Sequence, residues 1–193
     1  MSILVVKSAA LVLAGTFAET KFSTVNNTNG PAGLSSVYGV TPAIFSGLSF
    51  WILVHGMKVG AARTKYMELA KKDGEKEVEE RYDLPNLYAQ GTSKHVLSFN
   101  CVQRSHQHIF ETFTGAVLTG MVGAVHYPLT TAVATCIYAV GRISLSNGYA
   151  ASEGKASKRY SSSLAVLNWY GLMGNMFLSI LSVASMIAGK KLW

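Results

Sequence analysis

The stretch SLAVLNWYGLMGNMFLSILSVASMIA, Ser163 to Ala188, runs 26 positions without a charged residue. A surface helix of a soluble protein this long turns a charged stripe to water, so a run with none belongs in hydrocarbon. About 20 mostly apolar residues cross a bilayer at 1.5 Å rise each. Three further segments meet that requirement: Val37 to Met57, Leu97 to Val125 and Pro128 to Tyr149. Composition agrees, with 49% apolar and 14% charged residues, against roughly 25% charged in soluble domains. The fold read from this pattern is all-α, an integral membrane four-helix bundle over 37–193 with an extension over 1–36.

The connections differ in kind. His126-Tyr127-Pro128 is a tight helical hairpin, with Pro128 suited to the first turn of the third span. The stretch 58–94 is long and dense in both signs of charge. Its front, KVGAARTKYMELAKK, continues the first span's helix beyond the membrane. Asp73-Gly74-Glu75-Lys76-Glu77 breaks that helix, Glu77 to Arg81 restarts a turn, and Asp83-Leu84-Pro85-Asn86 reads as a turn. The loop 150–162 is small, polar and basic. At the N-terminus, Ile3 to Ala18 is apolar but only 16 residues long and holds Lys7. That length is short for a span and resembles a targeting segment; the expectation is a retained extension lying on or beside the membrane. Asn26-Asn27-Thr28 matches a glycosylation sequon.

The net charge of +7 lies outside the apolar runs instead of interleaving with them, which argues for membrane topology and against nucleic acid. Eight Lys/Arg fall in 58–94, and Lys155, Lys158 and Arg159 lie in the third-to-fourth loop. With four spans these eleven share one face. Lys7, Lys21, Lys190 and Lys191 are assigned to the other. The excess of cations puts the long loops on the cytosolic side. Cys101 and Cys136 form no metal-binding or disulfide pattern and read as small packing residues.

Two arginines, Arg104 and Arg142, remain inside spans. A charge there costs about 2.5 kcal/mol or more, so it faces the bundle interior, is paired, and marks a functional site. Arg104, His108 and Glu111 stand at i, i+4 and i+7 on one face of the second span, while Arg142 and Tyr149 share a face of the third. The second span starts at the basic face and the third ends there, so both sets lie in the same half of the bilayer. Guanidinium donors at that depth suit a small polyanionic ligand. A purely structural alternative pairs Arg142 with Glu111 and lets Arg104 reach to the interface. His106 and His108, two apart, face different sides of a helix and do not make a joint metal site. His55 and His126 read as hydrogen-bonded structural residues.

FNCVQRSHQHIFE (Phe99 to Glu111), the His126-Tyr127-Pro128 hairpin, and GRISLSNGY (Gly141 to Tyr149) followed by Ser157-Lys158-Arg159 resemble the membrane-associated proteins in eicosanoid and glutathione metabolism, the MAPEG family. The motifs are nearest to its type-three microsomal glutathione transferases. VYGV at Val37 and ERYDLPNLYA at Glu80 fit the same pattern. The resemblance implies a homotrimer in the endoplasmic reticulum or another organelle membrane. It also implies glutathione as co-substrate, bound between subunits near the cytosolic face, and lipophilic substrates for conjugation or peroxidase chemistry. Arg104, Glu111, Arg142 and Tyr149 map to glutathione-binding positions, with Gln103 beside them. A basic residue after the third span, Arg159 or else Lys158, maps to the group that stabilises the thiolate. Three departures stand out. His108 replaces an Asn, Leu145 replaces a Tyr whose hydroxyl it cannot supply, and the segment before Ser157 is about two residues longer. The alternative they motivate is a catalytically lapsed structural subunit of a larger membrane complex.

Overall fold

A computed structural model describes residues 2–23 and 30–192; the sequon lies outside them. Among the described residues the α-helices are α1 (Ser2–Phe22), α2 (Val40–Lys72), α3 (Val78–Tyr82), α4 (Lys94–His126), α5 (Pro128–Ala150) and α6 (Leu167–Ala188), and no strand occurs. The four expected spans are α2, α4, α5 and α6. Their ends follow local chemistry. Ser93 caps α4 by accepting from the Val96 amide at 3.3 Å, and Pro128 takes the first position of α5, where its missing N–H costs nothing.

The N-terminal segment departs from expectation. It forms a 21-residue helix, and with the other four gives five helices long and apolar enough to cross a membrane. Counting apolar residues stops at Ala18 because Glu19, Thr20 and Lys21 follow. The structure extends the helix through them by giving Glu19 a partner. Its carboxylate accepts from the backbone amides of Leu129 (3.0 Å) and Thr130 (2.8 Å) and from the Thr130 hydroxyl (2.6 Å). A buried carboxylate thus caps the first turn of α5, satisfying amides that have no helical acceptor and meeting the positive end of the helix dipole. Ser8, Val12, Thr16 and Glu19 are the buried stripe of α1, which packs on α6 and α5. Lys7 lies beside Leu167 and Tyr170 at the start of α6. It therefore belongs to the long-loop end of the bundle, the reverse of its expected face, and the cation asymmetry widens.

Helices α4, α5 and α6 form the centre, with α2 against α4 and α5. Small residues set the α5–α6 crossing. A Cβ on Gly141 would sit 1.9 Å from the Asn168 amide nitrogen, and one on Gly171 would sit 2.2 Å from that of Tyr138. Backbones this close exclude any side chain, the usual device of membrane helix packing. Polar ties cross the interior: His55 with Ser105 (2.9 Å), Thr112 with Tyr138 (3.0 Å), Thr135 with Asn175 (3.2 Å), His126 with Ser182 (3.0 Å). His55 and His126 thus have the structural roles expected. Phe50, Leu53, Met57, Leu118, Ile180 and Ile187 remain exposed on the outside, as lipid contact requires.

The 58–94 connection folds into a cap. Helix α2 runs on to Lys72, the acidic-basic run breaks it, and α3 begins at Val78, as the sequence pattern implies. Arg63 donates to the carbonyls of Tyr82, Asn86 (2.9 Å) and Leu87 (3.1 Å) while its guanidinium lies 4.6 Å from the centre of the Phe99 ring. Val59, Ala70, Val78, Tyr82, Val96 and Phe99 form its small core.

Candidate functional site

Arg142 is the largest fully buried side chain among the described residues, with no exposed surface. It sits one turn from the end of the α5 interior stripe, and it donates to the His108 carbonyl (3.3 Å) and to Ser146 Oγ (3.3 Å). Its Nε has no hydrogen-bond partner, and neither has the buried Nδ1 of His108. Two buried polar atoms left over beside a guanidinium are expensive unless a further polar group meets them. The geometry fits a polar ligand reaching between α4 and α5.

Arg104 behaves differently. It pairs with Glu111 on its own helix, seven residues on, and both remain open, 36% and 47% exposed. His108 Nε2 stands 3.6 Å from the other Glu111 oxygen. The Arg142–Glu111 pair of the structural alternative does not form. The expectation that both guanidinium groups turn inward to one cavity needs correction. Arg142 is internal and Arg104 lies on the bundle's surface, and His108, touching both sets, is the link. Arg142, Glu111, Arg104 and Arg159 are all charged neighbours of His108. Three guanidinium groups against one carboxylate leave this end of the bundle cationic.

The longer 150–157 segment does not carry the downstream cations away. Gly154 takes φ +85° and lies against Leu97 and Ser98 at the start of α4, folding the loop back on the bundle. The chain then passes so close to α5 that a Cβ on Gly148 would lie 2.9 Å from the Arg159 carbonyl oxygen. Arg159 is held 5.8 Å from the centre of the Tyr149 ring. Lys158 is half exposed and lies 3.9 Å from Glu153. Of the two candidates, Arg159 is the one against the site. Leu145 is fully buried and belongs to the core packing of α5. Gln103 is buried on α4 next to Arg104, but no hydrogen bond joins it to Arg104, Glu111 or Arg142.

Four contributors were not singled out by sequence. Ser146 stands one turn after Arg142, a spacing that could have revealed it. Trp169 packs edge-on to His108, 6.4 Å between ring centres, and donates from its indole nitrogen to the Tyr160 hydroxyl at 3.1 Å. Tyr88 donates to Gln107 and borders Arg104. No spacing rule ties Tyr88, Tyr160 and Trp169 to α4, because only folding brings them there. Of the free thiols, Cys101 is buried, as its reading as a packing residue expects, whereas Cys136 is exposed on the outer face of α5 and is not a packing residue.

The family model for MAPEG matches residues 41–181, spanning α2 to most of α6. The chain belongs to the MAPEG family. No solved structure matches it. MAPEG proteins are membrane proteins of glutathione-related transferase, peroxidase or eicosanoid function and generally use glutathione, and this one is an integral membrane protein by its apolar helices. The MAPEG match begins after α1, so the N-terminal helix lies outside the matched region while packing on α5 and α6 within it.

Proposed function

We propose that this protein is a glutathione-dependent transferase or peroxidase of the type-three microsomal kind, acting on lipophilic substrates that enter from the bilayer. The observation that carries the reading is the buried Arg142, which holds the His108 carbonyl while its own Nε and the His108 Nδ1 lack partners, with His108 one turn from each member of the open Arg104–Glu111 pair. Glutathione offers two carboxylates, an ammonium and a thiol. Arg142 and Arg104 would bind carboxylates, Glu111 the ammonium, and His108, Tyr149 and Gln103 further polar groups. Arg159 would stand near the thiol. A cation there favours the thiolate over a thiol whose ordinary pKa is about 8.5, and the thiolate is the nucleophile. Openness of Arg104 and Glu111 in one chain supports a site completed by a neighbouring subunit; the homotrimer is what the family resemblance implies. The cation excess on the loops 58–94 and 150–162 supports a cytosolic placement of this end, in the endoplasmic reticulum or another organelle membrane.

Purified protein in detergent and in liposomes, given glutathione, should conjugate a generic electrophile or reduce a lipid hydroperoxide above background. Absence of turnover in both settings contradicts the enzyme reading. The second reading, a structural subunit that has lost catalysis, is favoured by the fully buried Leu145 where the family has a tyrosine. It expects glutathione turnover to be missing and the chain to co-purify in a larger membrane assembly.

A further inference from the structure

We infer that α1 and α5 together form a site for one anionic phospholipid, with Lys7 as the headgroup ligand and the groove below it as the acyl-chain bed. Two open cavities, of about 490 and 610 Å³, lie end to end along the α1–α5 seam and share Leu11 and Ile137. Lys7 and Tyr170 border the first; Gly15 and Val133 line the second, which ends at Glu19 and Phe22. The groove thus follows α1 for 15 residues, about 22 Å, the reach of an extended acyl chain.

Charge identifies the occupant. Lys7 is an exposed cation and the one charged residue between Ile3 and Ala18, and a cation in such a place is met by an anion or water at the interface. The chain's own acids do not serve. Of the ten, seven lie between Glu68 and Asp83, Glu153 is in the loop after α5, Glu111 pairs with Arg104, and Glu19 is buried at the opposite end of α1 on three hydrogen bonds. A lipid phosphate would meet both the charge and the apolar bed, with the Tyr170 side chain beside it.

The test uses the full chain, delipidated in detergent and titrated with phosphatidylglycerol or phosphatidylcholine of the same acyl chains, read by native mass spectrometry. One phosphatidylglycerol per chain should be retained at least several-fold more strongly than phosphatidylcholine. Lys7→Gln should abolish that preference, and Lys190→Gln should leave it intact. A photoactivatable phosphatidylglycerol should label peptides of α1 and α5. Equal retention of both lipids, unchanged preference in Lys7→Gln, or cross-linking of Leu11→Cys between two copies in place of lipid labelling would overturn the proposal. Ala10→Trp, which narrows the groove without touching Lys7, should lower retention of both lipids; no change there contradicts the acyl-chain bed.

Discussion

At the residue scale, the site divides into a buried half and an open half, and each has its own mutational signature. Arg104 is half open and makes one ion pair, so Arg104→Ala should leave the thermal midpoint nearly unchanged, since exposed pairs contribute about 1 kcal/mol or less. Its proposed role lies in binding, where one charge-assisted hydrogen bond is worth roughly 1.5–3 kcal/mol. Steady-state kinetics on Arg104→Ala should therefore show KM for glutathione raised roughly 10- to 100-fold. Arg142→Ala should cost both affinity and stability, because it empties a fully buried volume and strands the Ser146 hydroxyl. A second residue is testable by pH. Burial pushes the Tyr82 hydroxyl from 10.0 up to about 12. Below pH 10 it is protonated whether the cap is folded or not. Between about 10 and 12 the unfolded cap ionises while the folded one holds its proton, so stability is lost as pH rises through that window. Protease cleavage within 73–92 should accelerate above pH 10 in the native chain, and Tyr82→Phe should weaken that dependence.

At the element scale, loops and caps decide where the charges end up. Gly148→Ala places a methyl against the Arg159 carbonyl and must shift the loop by a few tenths of an ångström or more. If Arg159 stabilises the thiolate, kcat should fall about fivefold or more while KM for glutathione changes little, because small misplacements at a reacting group are costly. Glu19→Ala removes the acceptor for two amides of α5. Loss of such a cap costs about 1–2 kcal/mol, and differential scanning in detergent should show a midpoint lowered by roughly 2–8 °C. The spans were legible in sequence because hydrocarbon demands long apolar runs and each run declares itself. The first helix was not, since Glu19 reads as a stop signal until α5 is known to supply its hydrogen bonds. Arg104 and Glu111 were legible as neighbours from the i, i+7 spacing. Their ion pair forms within α4 itself, whereas the seating of Arg142 on the His108 carbonyl depended on how α5 packs against α4, which neither helix declares alone.

At the scale of the whole molecule, the proposed function assigns a water-soluble anion to the cationic end and lipophilic material to the apolar flanks. Arg63 ties the cap to this end, and Tyr88, from the cap's last turn, reaches Gln107 beside Arg104. The arrangement turns on whether the Arg142–His108–Arg104 cluster binds glutathione, and Trp169 is placed to report it, since its ring packs on His108. Equilibrium titration of the full chain in detergent, followed by tryptophan fluorescence and checked by calorimetry, is the direct measurement. Saturable glutathione binding, weakened roughly 10-fold or more by Arg104→Ala in a variant that keeps its thermal midpoint, is the predicted result. No saturable binding, or equal affinity in the native chain and the variant, would contradict the account.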